Sequence, residues 1–326
     1  MAVKQKKVSP KKVLKKKSAK KFVKKINKPA YVCKQVLVVG LGLIGASFAK
    51  ALKNNKVCAR VLGSTRSDKT LKIAIKQKII DEGSNDLVAI SEKLNKGDVI
   101  LIATPTLSVP EKLLLLKDAL ARGVVVTDAA SVKGDIAHKA IKIFGKLPEH
   151  LVLGHPIAGS EKSGIEAVNP ALYEKHRVIL TPTIETSKTS LQKVEKLWKR
   201  VGAQVSFMGV EEHDRVLAAT SHLPHVLAFS LVDALAKRSE RKDIFAYAAG
   251  GFRDFTRIAG SDPQMWHDIV IANRSAILGA LDRFDQSLSE LRSAIDHQDS
   301  KLLLEIFSDA KKSRDQFSSL NPSIKK

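Results

Sequence analysis

The stretch Gln35-Val36-Leu37-Val38-Val39-Gly40-Leu41-Gly42-Leu43-Ile44-Gly45 decides the fold. After Gln35 come four apolar residues in a short valine-rich run that stops at a glycine, the pattern of a parallel strand buried on both faces. Glycines 40, 42 and 45 follow at G-x-G-x-x-G spacing, after the strand and at the start of a helix expected over Leu43–Lys53. In that setting the glycines read as a dinucleotide-binding turn. Gly40 permits the tight turn, Gly42 lets the backbone approach a pyrophosphate, and Gly45 lets the helix pack closely on the strand. Leu43 and Ile44 open the helix, whose first N–H groups face the phosphates.

Working outward, strands are predicted at Cys58–Gly63, Asp98–Ala103, Val124–Asp128, Leu151–Leu153, Val178–Thr181 and Gln204–Met208. Helices are predicted between them at Thr70–Lys78, Val109–Ala121, Val132–Phe144 and Ser190–Val201. Strand and helix in alternation specify an α/β fold, an N-terminal Rossmann-type doubly wound parallel sheet. From Glu211 the glycines thin out and 3.6-residue apolar patterns take over at Val216–Ala236, Met265–Asp282, Phe284–Gln298 and Leu302–Phe317. These predict an all-helical second domain for substrate and dimerisation. The expected boundaries are a dinucleotide-binding domain over 35–209, a helical domain over 210–318 and a tail over 319–326.

The chain has 326 residues and a formal charge of +23. That charge is uneven: residues 1–34 hold 14 lysines and no acidic residue, so the other 292 carry only +9. Such an arm repels itself and has too few apolar residues to order it, so it is expected to be disordered. Nonspecific nucleic-acid contact is the less favoured reading, because no aromatic residues are spaced for base stacking. An organellar import segment is a further reading, with lysine where arginine is usual. Hydrophobic and charged fractions of 44% and 27% fit a soluble globular chain of cytoplasmic type. No apolar run is expected to span a membrane. Cys33 and Cys58 provide neither a disulfide framework nor metal-ligand spacing.

The second strand ends in Gly63-Ser64-Thr65-Arg66-Ser67, without the carboxylate that holds a ribose 2′-hydroxyl. Hydroxyls at Ser64 and Thr65 and a guanidinium at Arg66 suit a 2′-phosphate, which favours NADP over NAD. Three later segments carry polar groups at expected strand ends: Thr104-Pro105, Asp128-Ala129-Ala130-Ser131-Val132-Lys133 and Gly154-His155-Pro156. Ligands of open α/β sheets bind at such ends, so Ser131 and His155 can meet beside a nicotinamide. A neutral imidazole there can take the proton of an alcohol under oxidation. The helical half adds Ser221-His222-Leu223-Pro224-His225 and Gly250-Gly251-Phe252-Arg253-Asp254-Phe255-Thr256-Arg257. Histidines three apart with proline between them do not read as a metal site. An arginine on the second segment can clamp a carboxylate.

Taken in order, these motifs and Asp262-Pro263-Gln264-Met265-Trp266 resemble the prephenate dehydrogenase family, with its arogenate and cyclohexadienyl dehydrogenases, over residues 35–315. The resemblance implies oxidative decarboxylation of prephenate in tyrosine biosynthesis by a homodimer, or of arogenate as the alternative. It implies that His155 is the base and that Ser131 hydrogen-bonds that histidine and the substrate hydroxyl. It gives Arg257 a substrate carboxylate, Ser221 and His225 the side-chain pocket, and Gly250 and Trp266 its mouth. Glu161, Asp214 and Asp254 resemble charged residues that gate or shape the cleft. A rival 3-hydroxyacid dehydrogenase reading lacks its lysine motif in the helical half.

Overall fold

Val36 and Val38 face one apolar core while Leu37 and Val39 face another, and none of the four is more than 3% exposed. That two-sided burial makes β1 (Cys33–Val39) the centre of a sheet. The computed structural model describes residues 1–2, 31–159, 162–239 and 245–320. Most of the Lys-rich arm, Glu161 and residues 321–326 lie outside the described residues. β1 begins inside the stretch read as the arm, at Cys33.

β1 is followed by α1 (Leu43–Asn54), β2 (Cys58–Ser64), α2 (Asp68–Lys76), β3 (Glu82–Ser84) and α3 (Leu87–Ser91). Then come β4 (Val99–Ile102), α4 (Val109–Leu115), α5 (Lys117–Ala121), β5 (Val125–Asp128), α6 (Gly134–Phe144) and β6 (Leu151–Val152). The six strands are parallel in the order β3-β2-β1-β4-β5-β6, the doubly wound arrangement expected. The helix predicted over Val109–Ala121 is two helices. It breaks at Leu116, fully buried, whose N–H is shared between the carbonyls of Lys112 and Leu113.

The remaining strands do not extend this sheet. β7 (Gly154–Pro156), β8 (Arg177–Leu180) and β9 (Gln204–Phe207) form a second sheet, with β7 antiparallel to β8 and β8 parallel to β9. The chain crosses from one sheet to the other at Leu153, so the Gly-His-Pro segment is a strand rather than a loop. The second sheet and α7 (Lys188–Arg200) share the core of α1. Phe48, Tyr173 and Trp198 meet there, with the Phe48 and Trp198 rings 4.5 Å apart. The Tyr173 hydroxyl donates to Ile44 O at 2.5 Å and so pins the start of α1.

The helical half runs α8 (Val210–Leu217), a π-helical turn (Ala218–His222), α9 (Leu223–Ala236), α10 (Gly250–Thr256), α11 (Pro263–Ala272), α12 (Arg274–Asp296) and α13 (Ser300–Leu320). Two boundaries differ from the periodicity. The pattern over Met265–Asp282 spans a real break at Asn273, and no break separates Asp282 from Phe284. Asn273 leaves helical geometry (φ −108°, ψ 28°) with its side chain bonded to Asp214 O and His222, partners that periodicity does not register.

A correction concerns the membrane. Val210–Ala236 is one continuous helical stretch of 27 residues, long and apolar enough to cross a bilayer by length and composition. Its first turns bury His213 and Asp214, and Asp214 accepts from the backbone at the start of α6.

Candidate active site

Asp128 closes β5 and is 0% exposed. A buried carboxylate needs partners, and this one has three. Its Oδ1 accepts from Gly154 N at 3.1 Å, and its Oδ2 accepts from Ala130 N at 3.0 Å and from the Lys133 ammonium. Lys133 is equally buried and donates also to Gly154 O at 2.7 Å. Burial pushes its ammonium below the ordinary lysine value, and Asp128 opposes that shift. Both backbone polar groups of Gly154 are therefore held by one ion pair, immediately before His155.

His155 is 8% exposed, and its Nδ1 lies 3.0 Å from His213 Nε2. His213 Nδ1 lies 2.7 Å from Asp214 Oδ1. Asp214 also accepts from Lys133 N at 2.9 Å and Gly134 N at 2.7 Å. Burial alone would raise the Asp214 carboxyl. The hydrogen bonds from His213, Lys133 N and Gly134 N outweigh it and hold the group below the usual carboxylate range. Burial first, then His213, Lys133 and His222, push the His155 imidazole well below the ordinary histidine value. It is neutral at pH 7 and able to accept a proton.

His213 is the residue that sequence reading missed. Its signal was only the neighbouring pair His213-Asp214, and nothing in that pair foretells burial against β7. Ser131 sits half-buried on the β5–α6 loop. No hydrogen bond joins it to His155 among the described residues; the imidazole partner is His213 instead.

Opposite stands the helical wall. Pro224 has no N–H for the carbonyl four residues back, and the helix widens there into the π turn. The Ser221 carbonyl is met by His225 Nδ1 at 2.8 Å. The His225 ring stacks on Trp266, with centroids 3.7 Å apart and planes at 22°. Burial lowers the His225 pKa, the bond to Ser221 opposes this, and the nearby Arg257 adds to it. The structure thus gathers Ser221, His225, Trp266 and Arg257. Asn273 Nδ2 lies 3.0 Å from His222 Nδ1, and burial pushes His222 down to about 4. His222 is therefore neutral and carries its proton on Nε2. That atom and Trp266 Nε1 are buried with no hydrogen-bond partner among the described residues. Gly250 opens α10, and Asp254 lies exposed on the same helix.

The glycine turn lies at the C-terminal edge of the parallel strands. Gly40 has φ +92°, and a Cβ there would stand 2.6 Å from Ala103 O and 3.0 Å from Thr104 Cγ2. A Cβ on Gly45 would fall 1.9 Å from Gly40 O. At Gly42 a Cβ would meet nothing within 4 Å, which leaves room above the first turn of α1 for a pyrophosphate. Thr104 accepts from Ser108 at 2.9 Å, and Pro105 leads into a turn packed on α11. Ser64 is buried, and its carbonyl accepts from Gly40 N at 2.8 Å. Thr65 is half-buried and Arg66 is exposed, within electrostatic reach of Glu111 on α4.

Two family models match the chain. One describes the prephenate dehydrogenase nucleotide-binding domain, over residues 48–207. The other describes the prephenate dehydrogenase dimerization domain, over residues 209–309. The chain belongs to the prephenate dehydrogenase family. Among relatives in that family, the cyclohexadienyl dehydrogenase of Zymomonas mobilis is 36% identical over 87% of this chain and 96% of its own length. The prephenate dehydrogenase of Bacillus subtilis is 35% identical over 86% of this chain and 75% of its own. A crystal structure of prephenate dehydrogenase from Aquifex aeolicus, in complex with hydroxyphenyl propionate and NAD+, is similar with a TM-score of 0.81. It is 38% identical and covers 87% of this chain and 98% of that one. The family's two matches meet at the glycine that caps α8, so His155 and His213 come from different domains.

Proposed function

We propose that the chain catalyses the NAD(P)-dependent oxidative decarboxylation of prephenate to 4-hydroxyphenylpyruvate. The observation that carries this reading is the neutral, buried His155, tethered to the helical half and adjoining the C-terminal edge that bears the glycine turn. Gly40, Gly42, Leu43, Ile44, Gly45, Thr104 and Pro105 would hold the dinucleotide. A bound nicotinamide would take the hydrogen of the ring carbinol together with its electron pair. His155 Nε2 takes the hydroxyl proton, with Ser131 on the adjoining loop a second polar contact for that hydroxyl. The ring carboxylate then leaves as carbon dioxide, its bonding pair enters the ring, which becomes aromatic, and the phenolate oxygen takes the proton back from His155. Arg257 anchors a carboxylate of the substrate. Ser221, His225 and Trp266 line the side-chain pocket, Gly250 lies at its mouth, and His222 Nε2 and Trp266 Nε1 are donors left for a polar ligand. The test is turnover of prephenate and of arogenate, each with NAD and with NADP, followed by absorbance of the reduced nicotinamide. Prephenate is expected to be used. Turnover confined to arogenate would replace this substrate by its amino counterpart.

We further propose that NADP is preferred. No carboxylate stands at the end of β2, and Arg66 can pair with a 2′-phosphate through a charge-assisted hydrogen bond worth about 1.5–3 kcal/mol. Arg66→Ala is therefore expected to raise KM for NADP by roughly 10- to 100-fold while leaving that for NAD nearly unchanged. Equal losses with both cofactors would remove Arg66 from the 2′-phosphate.

The assembly proposed is a homodimer through the helical half. Leu278 and Leu288 on α12 and Leu304 and Phe307 on α13 are exposed, an apolar surface that a monomer seldom leaves to water. Sedimentation is expected to report twice the protomer mass of 35.6 kDa. A single-protomer mass at assay concentration would contradict it.

A further inference from the structure

The hydrogen bonds behind His155 have a direction. Asp214 accepts from two backbone N–H groups, and its carboxyl is ionised, so the proton shared with His213 resides on His213 Nδ1. A neutral His213 then has a lone pair on Nε2. That nitrogen is 3.0 Å from His155 Nδ1, so the proton between the two rings belongs to His155. This leaves the lone pair of His155 on Nε2. The tautomer of the base is thus set two side chains away, by a carboxylate at the N-terminus of α6.

The same chain answers a second question, which is where the charge goes. His155 faces Lys133 from the loop before α6, His213 from α8 and His222 from the π turn. Among the described residues no carboxylate is hydrogen-bonded to its ring; Asp128 is committed to Lys133 and Gly154. An imidazolium on His155 would be buried beside a lysine. One ring further on, a positive charge on His213 would lie 2.7 Å from Asp214. His222 also faces Asp214 and His225, and Asn273 holds its Nδ1, so it is not the proton's destination.

We propose that the base is a relay of two imidazoles, in which His213 takes the Nδ1 proton of His155 as His155 Nε2 takes the proton of the substrate hydroxyl. One N–H bond forms and one breaks on His155, one forms on His213, and Asp214 remains a carboxylate facing the new cation. His213 is a positioning residue in the resting protein and holds the proton after transfer. The inference rests on the functional reading above.

The test uses the full chain and His213→Gln. The glutamine carbonyl can still accept from His155 Nδ1, which keeps the ring oriented, but it cannot hold a proton. Turnover is expected to fall by about 10- to 100-fold with KM little changed. A proton inventory of kcat is expected to curve in the wild type, where two protons move together, and to be linear in His213→Gln, where only the hydroxyl proton moves. A purely structural role lowers the rate and leaves the shape of the inventory unchanged, so an unchanged inventory overturns the relay. Nitrogen-15 shifts of the unsubstituted protein give a readout that needs neither variant nor substrate. The expected pattern is His155 protonated on Nδ1 and bare on Nε2. A proton on His155 Nε2 overturns the relay. Wild-type protein that oxidises neither prephenate nor arogenate overturns the functional reading instead.

Discussion

His155→Asn is expected to lower turnover of prephenate by about 10²- to 10⁴-fold, the range a positioned general base supplies. Asparagine is chosen because its amide can donate to His213 Nε2 as the imidazole Nδ1 does, so the buried hydrogen bond and the β7 strand survive. What disappears is the second nitrogen. Cofactor affinity, measured by fluorescence quenching, should stay within a few-fold of wild type, since the glycine turn lies on a different strand. The pH dependence of the unsubstituted protein follows from the same environment. The His155 pKa is depressed, so its neutral, active form persists below the ordinary histidine value. Thus kcat/KM is expected to be flat from neutrality downward and to fall only in acid, with a midpoint under 6.5. A midpoint above 6.5 would mean that a different group is titrating. Undiminished turnover in His155→Asn would remove the assigned base altogether.

The parts of this molecule that were legible in its sequence are those set by local chemistry. β1 was legible because both of its faces are buried from Val36 to Val39, which makes those four residues all apolar. The glycine turn was legible because no other residue fits: a Cβ at 45 would sit 1.9 Å from a backbone oxygen. Pro224 similarly announced the start of α9, although the π turn it forces was not foreseen. The second sheet was invisible because short strands look alike in sequence whichever sheet they join. The pairing of His155 was illegible for a related reason. His213 lies 58 residues away, and its ring is held between His155 and Asp214, whose carboxylate also accepts from Gly134 N at the start of α6. The family resemblance carried the expectation of Ser131 beside His155 and gave no sign of the imidazole on its Nδ1 side. Asn273 ended a helix through bonds to Asp214 and His222, again partners distant in sequence.

Lys133→Met is expected to be the most damaging substitution for stability. Lys133 and Asp128 are both 0% exposed, and the methionine keeps most of the lysine's volume while removing its charge. Asp128 would keep only the backbone N–H groups of Ala130 and Gly154 as partners for a buried carboxylate. Breaking one side of such a pair costs about 3–5 kcal/mol. At about 2–4 °C per kcal/mol for domains of this size, the thermal midpoint should fall by on the order of 10 °C. The loss should not be confined to stability. Lys133 Nζ holds the carbonyl of Gly154, so the residue preceding the base is freed, and turnover should drop even well below the melting temperature. The decisive comparison adds Asp128→Asn. The amide oxygen can still accept from Gly154 N, and no buried charge is left unpaired. If the penalty in Lys133→Met is the uncompensated carboxylate, the double variant melts higher than the single one, and the two changes are strongly non-additive. If the penalties simply add, the lysine acts through its contact with Gly154 alone, and the ion pair contributes no more than the hydrogen bond it shares.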